Sequence, residues 1–62
     1  MKKHYDKEED ILDIEIKEGI YWKSVEIAHN VVLDITKEGE ILSIEIFNAS
    51  KAFSSDLKKV IG

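Results

Sequence analysis

Asp13, Glu15, Asp34 and Glu45 each interrupt a run of aliphatic residues at an alternating position. Carboxylates brought close in this way share a proton or bind a hard cation. Acid–base catalysis from such a group requires at least one raised pKa, which burial must supply, and a small sheet has little with which to cover a second face. The pattern therefore reads as a solvated acidic face. His4 and His29, with Asp6 or Asp10, are the other candidates for a metal, but they lack the close helical spacing of a zinc pair. Ser50, Ser54 and Ser55 have no histidine near them in sequence and no strand-to-helix elbow, so nucleophilic catalysis has no support. Gly19, Gly39 and Gly62 are isolated, which excludes a glycine-rich phosphate loop. The acidic run Asp6 to Asp10 offers several oxygens but lacks the glycine and the distant bidentate glutamate of a calcium loop. It reads as a hairpin turn in which Asp6 caps backbone N–H groups. No catalytic residue, metal ligand or cofactor-binding residue is assigned.

Those side chains must be positioned by short strands. Leu12, Ile14 and Ile16 alternate with Ile11, Asp13 and Glu15, and thirty residues later Leu42, Ile44 and Ile46 alternate with Ile41, Ser43, Glu45 and Phe47. Val31, Leu33 and Ile35 repeat the rule, and a weaker run places Tyr21, Val25 and Ile27 inward with Trp22, Ser24 and Glu26 outward. Turn residues separate the runs: Glu18-Gly19, His29-Asn30 and Lys37-Glu38-Gly39-Glu40. The expected strands are about 2–5, 11–17, 21–28, 30–36 and 41–47. Short links between successive strands favour antiparallel neighbours, which predicts a β-meander of four to five strands.

After Phe47 the period changes. Ala49, Ala52, Phe53, Leu57, Val60 and Ile61 make one helical stripe, with Asn48 as N-cap and Lys58-Lys59 near the C-terminal end. The fold class is therefore α+β: one antiparallel sheet with a helix over about 49–61 packed on the aliphatic face. The echo of ILDIEI in ILSIEI then reflects two strands in similar environments rather than a duplicated functional unit.

With 62 residues the chain makes one domain, and such domains bury only about 60% of the surface their unfolded chains expose. No Cys is present, so neither a disulfide nor a thiolate–zinc site can staple the core, and packing or oligomerisation must stabilise it. The net charge of −4 and the absence of Arg disfavour nucleic acid as a partner. Residues 1–47 hold six Lys against twelve acids, while residues 48–62 hold Lys51, Lys58 and Lys59 against Asp56. No apolar run approaches the roughly 18 residues of a membrane span, and Met-Lys-Lys leads into acidic residues rather than a signal sequence. A cytoplasmic location is the expectation.

Four blocks carry a family resemblance: Tyr5 to Leu12 (YDKEEDIL), Val32-Leu33-Asp34, Gly39-Glu40-Ile41, and Ile44 to Lys51 (IEIFNASK). Together they resemble the small prokaryotic domain of unknown function numbered two-two-eight-three. The resemblance implies a compact meander with a C-terminal helix, no established enzymatic activity, and antitoxin-like pairing with a small neighbouring protein. Phe47 stands where an aliphatic residue is expected before Asn48-Ala49-Ser50, and the helix is longer than the family core.

Ile11, Trp22, Val32, Ile41 and Phe47 are apolar yet assigned to the face away from the helix. If they converge they form an interface, with Trp22 as the natural anchor. The expected function is thus a protein–protein interaction module, acting as a homodimer or with a small partner protein, and not an enzyme. The competing expectations are a metal-binding or enzymatic use of the acidic face and, more weakly, DNA contact through Lys51, Lys58 and Lys59.

Overall fold

The computed structural model describes residues 2–52. Five strands form where the alternation is strongest: β1 (Lys2–Asp6), β2 (Ile11–Glu15), β3 (Lys23–Ala28), β4 (Val31–Ile35) and β5 (Ile41–Phe47). A single helical turn, α1 (Ala49–Ala52), follows. The rest of the expected helix, with Phe53, Leu57, Val60 and Ile61, lies outside the described residues, and so does its packing on the sheet. The turns form because their residues accept left-handed backbone. Asp10 (φ 57°), Asn30 (φ 66°) and Gly39 (φ 88°) each sit in the link before the next strand.

All strand pairs are antiparallel, in the order β1-β2-β5-β4-β3. The expected simple meander is corrected at one link: β2 pairs with β5, not with β3. The chain is a β1–β2 hairpin joined to a β3–β4–β5 meander in a Greek-key arrangement. The physical reason lies in the echoed segments. Pairing β2 with β5 sets Leu12 opposite Ile46 and Ile14 opposite Ile44, so two equally aliphatic strands occupy the centre of the sheet. Residues 16–22 are then free of strand and cross the ends of β5 and β4. Ile16 and Lys17 donate their N–H groups to the Leu42 carbonyl, and Trp22 donates to the Ile35 carbonyl. Three strand spacings amount to about 14 Å, well within the reach of seven residues. At the crossing, Gly19 lies so close to Leu42 that a Cβ would stand 2.7 Å from its Cδ2.

The register yields two rungs across all five strands on one face: Tyr5–Leu12–Ile46–Val31–Ala28 and Lys3–Ile14–Ile44–Leu33–Val25. On the other face the rungs are His4–Asp13–Glu45–Val32–Glu26 and Lys2–Glu15–Ser43–Asp34–Ser24. Alternation in sequence is thus converted into an aliphatic side and a polar side. Two bulges alter the expected orientations. One leaves Ile27 unpaired between Glu26 and Ala28, and Ile27 is 56% exposed rather than inward. The other leaves Leu42 unpaired between Ser43 and Ile41, where it becomes one of the buried side chains. Tyr21, also expected inward, precedes β3 and is exposed. Among the described residues the buried apolar side chains are Leu42 and Ala49, with Thr36 the buried polar one. The central residues of the aliphatic rungs are only half-buried.

Candidate functional site

Two constellations arise from this framework, one at the end of the sheet and one on its polar side. At the end, the β1–β2 turn closes as expected: Asp6 Oδ1 accepts the N–H groups of Glu8 and Glu9 at 3.0 and 3.1 Å. Its last residue, Asp10, then reaches forty positions along the chain. The Asp10 carboxylate accepts the Ser50 N–H at 3.0 Å and the Ser50 hydroxyl at 2.7 Å, and it also accepts the Tyr5 hydroxyl. The Asp10 carbonyl accepts the Ala49 N–H at 3.0 Å. Asn48, expected to cap the helix, instead turns the chain at φ 52°, and its carbonyl accepts the Lys51 N–H. The capping role passes to Asp10 because left-handed backbone at Asn48 is not the extended conformation of an N-cap. The hydrogen bonds from Tyr5 and Ser50 hold the Asp10 carboxyl below its usual range, while the bond to Asp10 pushes the Tyr5 hydroxyl up. Tyr5, Leu12, Ala49 and Ser50 line a shallow apolar hollow beside this junction.

On the polar side, Asp34 stands between two serines from neighbouring strands. Ser24 on β3 donates to its Oδ1 at 2.5 Å and Ser43 on β5 donates to its Oδ2 at 2.8 Å. The Tyr21 hydroxyl extends this chain to Ser24 at 2.8 Å. Partial burial works against ionisation of Asp34, but the bonds from Ser24, Ser43 and Glu45 outweigh it and hold its carboxyl below the usual range. Glu45 moves the opposite way. Burial, a hydrogen bond to Asp34, and the charges of Asp34 and Asp13 raise its carboxyl. As pH rises, Asp34 therefore gives up its proton before Glu45 does. Asp13 faces Glu45 across β2 and β5, and its buried Oδ1 lacks a hydrogen-bond partner among the described residues.

Sequence alternation correctly placed Asp13, Glu15, Asp34 and Glu45 on one side. The register brings Asp13, Asp34 and Glu45 together, with Glu15 one rung along opposite Ser43. Among the described residues no group of three or more His, Cys, Asp or Glu side chains is arranged to hold a metal ion. His4 lies within β1 and His29 in the β3–β4 turn. The serine partners of Asp34 were not anticipated, although their matched parity on adjacent strands was the available signal. The Asp10–Ser50 junction carried no such signal, because nothing local links residues forty apart.

The apolar residues expected at an interface divide into two groups. Ile11 and Phe47 are directly opposed across β2 and β5, and Val32 lies one rung along, opposite Glu45. All three are half-buried. Ile41 pairs with Ile35 at the other end of β5, and Trp22, just before β3, donates to Ile35 from the opposite side of β4. Six residues of strand, about 20 Å, separate Ile41 from Phe47. Trp22 is 47% exposed with the Lys23 ammonium 4.4 Å from its ring centre, and it joins Ile20 and Tyr21 in an exposed apolar turn. No described helix is long and apolar enough to cross a membrane.

The model of a family of proteins of unknown function, DUF2283, matches residues 2–50, and the chain belongs to that family. The match ends at Ser50, so it contains both sides of the Tyr5–Asp10–Ser50 junction. No curated protein and no solved structure matches the chain.

Proposed function

From that membership, we propose that this DUF2283 chain is a protein–protein interaction module, used through its sheet and without catalytic turnover. The observation that carries the reading is the imbalance of burial. Leu42 and Ala49 are the buried apolar side chains among the described residues, while two five-stranded rungs rich in Ile, Leu and Val remain half-exposed. Such a surface gains most from removal from water by a second body. The polar side favours the same conclusion. Asp34 is occupied in hydrogen bonds with Ser24 and Ser43, and Tyr5 and Ser50 engage Asp10 at the junction, so these groups hold strands and turns in place. The partner is a second copy of the chain or a small protein, and the acidic polar side suits a basic one.

Sedimentation velocity of the full chain across a hundredfold range of concentration, alone and after affinity capture from its native extract, tests this reading. An assembled species heavier than the 7.1 kDa chain is expected, as a self-association or a stoichiometric complex. A chain that stays monomeric and retains no protein in defined stoichiometry would contradict it.

A further inference from the structure

The charges of β1 are complementary to the same strand read in reverse. From this we infer that β1 is a self-pairing edge: a second copy of the chain adds its own β1 antiparallel to the first, giving one continuous sheet about a two-fold axis at His4. The inference goes beyond the reading above, because it uses the edge of the sheet and no part of its aliphatic face.

The sheet ends in β1 on one side and β3 on the other. A bulge between Glu26 and Ala28 breaks the regular run of β3 and unsuits it as a template. By contrast, β1 pairs with β2 without interruption from Lys2 to Asp6 and is exposed from Lys2 to Tyr5. Among the described residues no strand pairs with its outer side, so its outward N–H and C=O groups offer a ladder to another strand. Lysines at an edge ordinarily repel such a strand. Here the strand that begins Lys2-Lys3 ends in Asp6 and carries its own counter-charge.

Symmetry restricts the register. A two-fold axis normal to the sheet keeps each face on its own side, so a residue of one copy opposes only a residue of like parity in the other. Centred on Lys3, the pairing sets Lys3 against itself. Centred on Tyr5, it sets Lys3 against Lys7. Centred on His4, it sets Lys2 against Asp6 twice on the polar side and Lys3 against Tyr5 twice on the aliphatic side. Opposite charges directly across a ladder stabilise it and like charges destabilise it, while an ammonium over a tyrosine ring is attractive. The His4 register therefore satisfies every charge on the strand. Asp6 already caps its turn through Oδ1, but a carboxylate accepts more than two hydrogen bonds.

The full chain tests this by charge exchange, with sedimentation equilibrium giving the dimer constant and circular dichroism confirming the sheet. Lys2→Glu sets acid against Asp6 in both pairs, and Asp6→Lys sets lysine against Lys2 in both. Each variant alone should dimerise at least tenfold more weakly, and an equimolar mixture should recover the lost affinity, because both pairs are again of opposite charge. The chain has no native Cys, so single cysteines read the register without relying on the Asp6 variant. At His4, on the axis, the two Cα atoms stand about 4.5–5.5 Å apart, within disulfide range. At Lys2, on the same face, they stand about 14 Å apart. His4→Cys should therefore cross-link on mild oxidation and Lys2→Cys should not. A dimer indifferent to Lys2→Glu, or one that His4→Cys does not cross-link, overturns the self-pairing edge and leaves the interaction reading intact. A monomer that captures a different protein does the same, and a monomer that captures nothing overturns both.

Discussion

Asp10 is the residue on which the two ends of the family match converge. It closes a turn with left-handed backbone and accepts hydrogen bonds from Tyr5 and Ser50 at once. Asp10→Ala should lower the melting temperature and speed exchange of the Ser50 amide, whereas Tyr5→Phe should affect that amide far less; both are measured by thermal unfolding and hydrogen exchange. The pH dependence separates the carboxylates by sign. Asp10 and Asp34 have folded pKa values below 3.8, so their contribution is present above that value and disappears as pH falls through the depressed ones. Glu45 is raised above 4.5, so its contribution is complete below 4.5 and is lost as pH rises through the raised value. Glu45→Gln keeps a neutral donor diagonal to Asp34 at every pH. It should raise the melting temperature at pH 7 by up to about 4 °C, allowing for solvent screening, and flatten its pH dependence above 4.5. A variant that melts lower at pH 7 would argue against the raised Glu45 carboxyl.

At the scale of elements, the crossing segment 16–22 distinguishes this topology from a meander, and its fit depends on Gly19. Gly19→Val would place new atoms against Leu42 and Thr36, with a cost of about 1–3 kcal/mol in denaturant unfolding. Leu42→Ala in the same chain should recover part of that loss. Gly39→Ala meets no neighbour but must adopt φ 88°, for a cost of about 1 kcal/mol. The strands themselves were legible because period-two alternation is local: the expected and observed bounds of β5 coincide, and those of the others differ by at most two residues. The order of the strands was not legible in the same way. Alternation says which way Leu12 and Ile46 point, but not that they face each other across β2 and β5. The bulges at Ile27 and Leu42 were equally hidden, since an unpaired residue shows only once both strands are in register. For the polar site, the common side of Asp13, Asp34 and Glu45 was readable from parity, while the opposite shifts of Asp34 and Glu45 depended on distances between strands.

The whole molecule has two unlike sides. One is a polar sheet face on which Asp34 is held by Ser24 and Ser43, and the other is an aliphatic face whose central residues are half-buried. The sequence expectation put the contact surface on the first side, at Ile11, Trp22, Val32, Ile41 and Phe47, and the register divides that set between the two ends of β5. If a second copy extends the sheet, folding and association are linked, and stability must depend on protein concentration. The most direct measurement is the thermal unfolding midpoint of the full chain over a hundredfold range of concentration at fixed pH and salt. The account predicts a midpoint that rises steadily with concentration, and a midpoint that stays constant across that range would contradict it.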